Sequence, residues 1–433
     1  MKKSSSRHSV RLFLEVLETR FLPSTSHLRS ALATAVAEPS AIVPQLAATA
    51  PQSVSTVPPN GDLNPYGVAF VPADYQGGGR LHAGDILVSN FNNSANLQGT
   101  GTTVVQITPS GQQSVFFQGS GLGLTTALGV LQRGFVLVGN VPTSDGTFST
   151  IRQGSLLILN HDGRLVANLT SATKLDGPWD LTINDQGSSA QVFVSNVLSG
   201  TVTRLDLAVP QTGDHIVVRD MIQIASGYAH RSDPAALVVG PTGLAYDLQR
   251  DILYVAATAD NAVFAVPNAG ARQTDARTGS VIFDDPARLR GPLGLVLTPD
   301  GDLITSNGDA VNANKHFPTE LVEFNPTTGR FVGQFSVDSA PGSAFGIALA
   351  TFDGQVHFAA VDDNTNTLDI WTLESSSVSD GGIQDDGPNV PPPDSPKKLP
   401  LADTAWVRRS ASIVYPEEVA GSIGRGSFLR CVC

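Results

Sequence analysis

Residues 176–207, DGPWDLTINDQGSSAQVFVSNVLSGTVTRLDL, hold one complete unit of a pattern that the chain then repeats. A turn at Gly177-Pro178 leads into a short alternating strand marked by Leu181 and Ile183. A second apolar strand, Val192-Phe193-Val194, ends in Ser195-Asn196, and after Gly200 a third is marked by Val202, Leu205 and Leu207. Short apolar runs bounded by Gly, Pro and Asn signal strands joined by tight turns.

Between Asn64 and Leu373 the unit occurs six times. Its first strands begin at NPYGV (from Asn64), TALGV (Thr126), GPWDL (Gly177), GPTGL (Gly240), GPLGL (Gly291) and SAFGI (Ser343). With the Gly, or Asp180 in the third copy, as anchor, the steps are 62, 51, 63, 51 and 52 residues. Second strands end at Asn90, Asn140, Asn196, Ala257, Asn307 and Asp362, and third strands follow from Thr103, Ser155, Thr201, Ala262, Glu320 and Thr367. A period of this size with only short strands inside each unit predicts an all-β fold, a six-bladed β-propeller with disordered N- and C-terminal flanks. Fourth strands are visible after the first five units but not after Trp371–Leu373. A propeller must close its ring or leave an unpaired edge. The alternating QSVSTV of Gln52–Val57 is therefore expected to supply the missing outer strand, a plain linker being the alternative.

The organisation expected is an address motif at 1–24, a linker at 25–51, the propeller at 52–373, a Pro-, Ser- and Asp-rich linker at 374–396 and a basic tail at 397–433. The blades start near 64, 126, 177, 240, 291 and 343. The net charge of −12 is uneven: residues 1–29 and 397–433 are basic, and the body between them carries 15 basic against 34 acidic residues. An acidic body repels phosphate backbones, which argues against nucleic acid. It leaves room for divalent cations, although a solvated acidic surface explains it more simply. No apolar run is long enough for a transmembrane helix. The two cysteines, Cys431 and Cys433, have no His beside them to complete a zinc site.

Two resemblances add to this. Leu14–Ser24, LEVLETRFLPS, resembles the LExLExRxLPS motif found near the N-termini of exported and surface proteins of planctomycete-type bacteria, which implies an exported, extracellular, surface or periplasmic location. Read from the residues alone, it is an amphipathic helix with Leu14, Leu17 and Phe21 on one face. The blade pattern, best at GPLGLVLTPDGDLITSN (Gly291–Asn307), resembles NHL repeats and the six-bladed superfamily that includes the gluconolactonase and SMP-30-type lactonases. The resemblance implies a divalent metal held by Glu, Asn and Asp at the residue before the Gly of strand one. Here those positions are Tyr66, Leu128, Trp179, Thr242, Leu293 and Phe345, with no carboxylate or amide, so the metal site does not carry over and no metal or cofactor is expected. A streptogramin-lyase-like site would need clustered His and Glu, and the eight His share no repeat position.

The same positions put Tyr66, Trp179 and Phe345 near the channel mouth, as a ring to stack a sugar or clamp an apolar side chain, or as packing that plugs the channel. The ends of the second strands, Asn90, Asn140, Asn196, Asn307 and Asp362, form either a polar binding face or a set of turn-stabilising side chains. Asp180, which replaces the repeated Gly beside Trp179, is a further ligand-contacting candidate; no partner acid or His can be placed near it, so no catalytic residue is assigned. Asp362–Asp369 has D-x-N-x-N spacing but lacks the Gly and closing Glu of a calcium loop, which favours a solvated hairpin. The function expected is an exported, monomeric binding module for a glycan, peptide or partner protein. The alternatives are a propeller hydrolase or lyase with a non-standard site, and a structural surface protein.

Overall fold

The structure is a computed structural model that describes residues 41–308, 311, 320–340 and 342–373. The expected export motif, the second linker, the basic tail and both cysteines lie outside these residues. Six four-stranded antiparallel sheets are arranged as the blades of a propeller. The first blade comprises Leu63–Phe70, Ile86–Asn92, Thr103–Ile107 and Gln113–Gln118; the second Leu124–Val130, Val136–Asn140, Ser155–Leu159 and Leu165–Leu169. The third is Pro178–Asp185, Ser189–Asn196, Thr201–Ala208 and Val217–Ser226; the fourth Pro241–Asp247, Ile252–Ala257, Ala262–Pro267 and Ser280–Phe283. The fifth is Pro292–Leu297, Leu303–Asn307, Leu321–Phe324 and Phe331–Phe335. In the sixth, Ala344–Phe352, Gln355–Asp362 and Thr367–Leu373 come from the end of the propeller sequence, and the outer strand is Gln52–Ser55, paired antiparallel with Gln52 opposite Ile370 and Ser55 opposite Thr367. The innermost strands touch in chain order, and the sixth touches the first.

Adjacent sheets face each other through interleaved apolar side chains. Leu137 and Ile158 of the second blade pack with Val192, Val194 and Leu205 of the third. Phe283 of the fourth stacks on Phe324 of the fifth with centroids 4.2 Å apart. Arg204, 2% exposed, is a buried charge with its donors satisfied: it pairs with Asp206 and donates to the carbonyls of Ala269, Gly270 and Arg272 at the edge of the fourth blade. A buried guanidinium is tolerable only with such partners.

Near the axis the blades are too close for ordinary side chains. Each innermost strand has a register shift at the same repeat position, spanning Pro65/Gly67, Leu124/Leu128, Pro178/Leu181, Pro241/Leu244, Pro292/Leu295 and Ala344/Ile347. A bulge of this kind re-aims the local side chains. A Cβ on Gly346 would lie 2.0 Å from the Tyr66 carbonyl oxygen, and one on Gly243 would lie 2.3 Å from that of Leu293. The repeated glycine is therefore the place where one inner strand presses on the next.

Side chains latch these strands together. Ser89 of the first blade donates to Thr125 O, Thr125 and Thr126 of the second donate to Pro178 O and Trp179 O, Thr242 and Thr258 of the fourth donate to Pro292 O, and Ser306 of the fifth donates to Phe345 O. Between the sixth and first blades, Asn366 Oδ1 accepts from Asn64 N at 2.8 Å. Between the third and fourth, Asp180 Oδ2 accepts from Leu244 N at 3.2 Å.

Within the stretch expected as a linker, Ile42–Leu46 forms one helical turn and a half, with Ile42, Val43 and Leu46 buried against Ile304, Leu321, Phe358 and Trp371. The Glu323 carboxylate accepts from Ile42 N and Val43 N, and Trp371 Nε1 donates to Thr49 O. Sequence pattern missed this helix because five residues are too few to show a period. Deleting residues 1–57 removes it together with the closing strand. With each buried aliphatic side chain contributing about 1.5–3 kcal/mol, that truncation is expected to lower stability by roughly 5 kcal/mol or more, read as a drop in Tm and in the urea midpoint.

Candidate functional site

The end of the channel where the innermost strands begin is closed by packed side chains. Tyr66 (5% exposed), Trp179 (1%) and Leu293 (6%) are buried in one cluster with Phe91, Val141, Val197, Leu237 and Val238, and half-buried Phe345 packs against it. Tyr66 stacks on Phe91 at 4.8 Å, lies 4.8 Å from Phe345 and meets Trp179 edge-on at 5.9 Å; Phe91 meets Trp179 at 5.5 Å. Such offset and edge contacts are the favoured geometries for aromatic pairs. The ring expected from the repeat is thus assembled, and it is packed as a plug. Burial lifts the Tyr66 phenol above its usual range, with the Asp363 charge acting in the same direction.

The plug is covered from above by residues that no repeat predicts. The hairpin of Arg231–Asp233 and Leu237–Val239 joins the third and fourth blades and delivers Leu237 and Val238 into the cluster. Leu237 adopts φ +64°, an uncommon conformation for a branched side chain. Gln98, from the loop after Phe91, donates to Ala235 O and ties that hairpin down. These insertions lie in the two long steps of the repeat. The signal was present as 62 and 63 residues against 51 or 52, but spacing does not say where an extra loop folds.

The residues at the ends of the second strands are also buried. Asn140 Oδ1 accepts from Gly123 N, Asn196 Oδ1 from Asp176 N and Asn307 Oδ1 from Arg290 N. In each case the Asn side chain ties the end of strand two to the segment leading into strand one. Asn90 donates to Thr56 O, and Asp362 accepts from Asn364 N, Thr365 N and the Thr365 hydroxyl. These side chains are 6% exposed or less and, Asn90 Oδ1 excepted, are occupied with backbone and hydroxyl groups rather than spread as an open polar face.

Below the plug the channel widens into a cavity of about 410 Å³ lined by the innermost strands, including Leu128, Leu181, Ile183, Leu244, Leu295 and Ile347. At the plugged end the lining is buried. Towards the other end Phe70, Val130, Ile183, Tyr246, Leu297 and Leu349 are half-buried, so the cavity opens on the opposite face. Asp180 is its one charged-type side chain among the described lining residues. Its Oδ1 accepts from Leu181 N at 2.8 Å and its Oδ2 from Leu244 N. Protein packed around it raises its pKa well above the carboxylate range, and those two hydrogen bonds only partly oppose the shift. No His, Glu or second Asp lines the cavity, so a general acid–base pair is missing from it among the described residues.

Truncating Trp179 to Ala removes the largest piece of the plug and is expected to cost about 3–5 kcal/mol, measured by chemical denaturation. Asp180 gives a pH signature. Because its folded pKa is raised, its favourable contribution is full below the unfolded value of about 4 and is lost as pH rises through the folded value. The stability difference between acidic and neutral buffer is therefore expected to shrink in Asp180→Asn, measured by melting across that range.

No family model matches the chain, and no curated protein matches it. Solved structures that it is similar to include a gluconolactonase from Xanthomonas campestris, with 15% identity over 77% of this chain and 95% of that one and a TM-score of 0.45. Virginiamycin B lyase from Staphylococcus aureus is 13% identical over 75% of this chain and 88% of its own, with a TM-score of 0.39. Regucalcin from Agrobacterium tumefaciens, a calcium-binding protein, is 15% identical over 72% and 91%, with a TM-score of 0.42. At these identities and scores the likenesses assign neither ligand nor reaction, and the six-bladed architecture rests on the six sheets of this chain itself.

Proposed function

We propose that this propeller is an exported, monomeric binding module whose ligand is an apolar side chain of a peptide or partner protein, taken into the channel from the face opposite the plug. The observation that carries this is the cavity itself: it is closed at one end, open at the other and lined almost wholly by aliphatic side chains and strand backbone. Its volume of about 410 Å³ falls within the roughly 300–1,000 Å³ that ligand pockets occupy. The half-buried rim of Phe70, Val130, Ile183, Tyr246 and Leu297 suits the apolar anchor that dominates many interfaces.

A glycan fits less well, because Thr126, Asp180, Thr182 and Tyr246 are few polar groups for a polyhydroxyl ligand, and the two rings at the rim, Phe70 and Tyr246, already pack on Phe352 and Phe193. A hydrolase or lyase would need a second catalytic group beside Asp180, and among the described residues the cavity lining supplies none. Export is supported by the Leu14–Ser24 motif.

The test is a displayed peptide library panned against the full chain, with a glycan array beside it. Enriched peptides are expected to share one bulky apolar residue, and Ile183→Arg at the rim is expected to weaken them by about tenfold or more, as for loss of a central anchor. Glycan hits without peptide hits, or peptide binding indifferent to Ile183→Arg, would overturn the proposal.

A further inference from the structure

The channel cavity has aliphatic walls and a carboxyl group at its floor. Among the polar side chains of its lining, Thr126 donates its hydroxyl to Trp179 O and Tyr246 its phenol to Asp251 Oδ1. Asp180 is different. A carboxylate has room for about four hydrogen bonds, and the two oxygens of Asp180 each accept one, from Leu181 N and Leu244 N. The residue is half-buried and lines the cavity, so the rest of its hydrogen-bonding capacity is available to whatever fills the channel.

An occupant has to reach that carboxyl and then satisfy it. Asp180 precedes Ile183 on the same innermost strand, Pro178–Asp185, and so sits roughly 10 Å further in than the rim. Serine and threonine are too short to reach it from a backbone held at the rim. A wholly apolar side chain such as phenylalanine reaches inward but displaces water from Asp180 and offers no partner in return, which leaves a buried polar group unpaired. Lysine or arginine brings a charge. Protein packed around Asp180 already opposes its ionisation, and an ion pair at this depth must strip water from two charges. An indole N–H donates only, and so leaves the proton of a neutral acid without an acceptor. A phenol avoids each of these costs. Its body is apolar, and its hydroxyl both donates and accepts, so it pairs with Asp180 whether the acid is neutral or ionised.

We propose that the side chain taken into the channel is a tyrosine, selected by a hydrogen bond between its phenol and Asp180. This assignment rests on the channel being the binding site, as proposed above, and adds the chemistry of the ligand's tip. Asp180 then has two tasks: it holds the third blade to the fourth through Leu244 N, and it reads the ligand with the capacity left over.

Three small probes isolate the tip: p-cresol carries the tyrosine side chain, toluene the phenylalanine side chain and n-butylamine the lysine side chain. Each is titrated into the full chain at neutral pH and followed by calorimetry, with saturation-transfer NMR for weak binding. p-Cresol is expected to bind about tenfold or more tighter than toluene, as for a buried polar group gaining its partner. Asp180→Leu is expected to abolish that preference while keeping toluene binding, and Ile183→Arg at the rim to weaken both probes. Melting curves check that the variants fold; if Asp180→Leu does not, the preference in the unaltered chain decides. Toluene binding as tightly as p-cresol, with both weakened by Ile183→Arg, would overturn the tyrosine assignment and leave the channel reading standing. Tighter binding of n-butylamine, or a p-cresol preference that survives in Asp180→Leu, would also overturn the assignment. Binding of neither p-cresol nor toluene, or binding indifferent to Ile183→Arg, would overturn the assignment and the channel reading together.

Discussion

The ring depends on side-chain hydrogen bonds that latch each innermost strand to the next. Six sheets radiating from an axis share little backbone pairing with one another, so their inner edges must be held by something other than the β-ladder. Here serine and threonine hydroxyls do so at four of the six junctions, reaching carbonyls of the next blade. At the ring closure Asn366 takes the part, and between the third and fourth blades Asp180 takes it. The bulge in every inner strand, and the glycine beside it in all but the third blade, are consequences of the same crowding, since a latch this short brings backbone against backbone.

This gives Asp180 a structural reason. It replaces the repeated Gly at one of the two junctions latched by a side-chain oxygen acceptor rather than a hydroxyl, and it accepts from the next blade instead of donating to it. The acid is then held where protein opposes its charge, at the floor of an apolar cavity. A residue that stands out in sequence as the odd member of a repeat can be the member that completes the ring, and its exposure to the channel follows from where the latch has to sit.

Plug and cavity are also coupled. Closing the end where the inner strands begin with Tyr66, Phe91, Trp179, Leu293 and the Leu237-Val238 tip leaves the channel one opening, on the other face. The aromatic ring that looked most suited to contact a ligand is thereby spent on packing, and the ligand-facing role moves to the aliphatic residues further along the same strands.

The six-bladed fold was legible because period two within strands and a 51–63-residue period between blades both survive in the sequence. The closing strand was legible for a related reason: Gln52–Val57 alternates, and the last unit lacked a partner. Positions were legible too, since Tyr66, Trp179 and Phe345 do come together. Their accessibility was not, because it depends on Phe91 and on a hairpin inserted outside the repeat. The Asn residues recur at strand ends in the sequence, but it is the tertiary structure that turns their amides inward onto backbone.

The amino-acid sequence by itself determined what repeats, because each blade's local turn and alternation are short-range properties. Tertiary structure decided what happens between the blades: which end of the channel is sealed, which junction uses a carboxylate, and which oxygens are left unpaired. Those outcomes rest on contacts between residues tens to hundreds of positions apart, such as Asn64 with Asn366 and Asp180 with Leu244, and no local pattern encodes them.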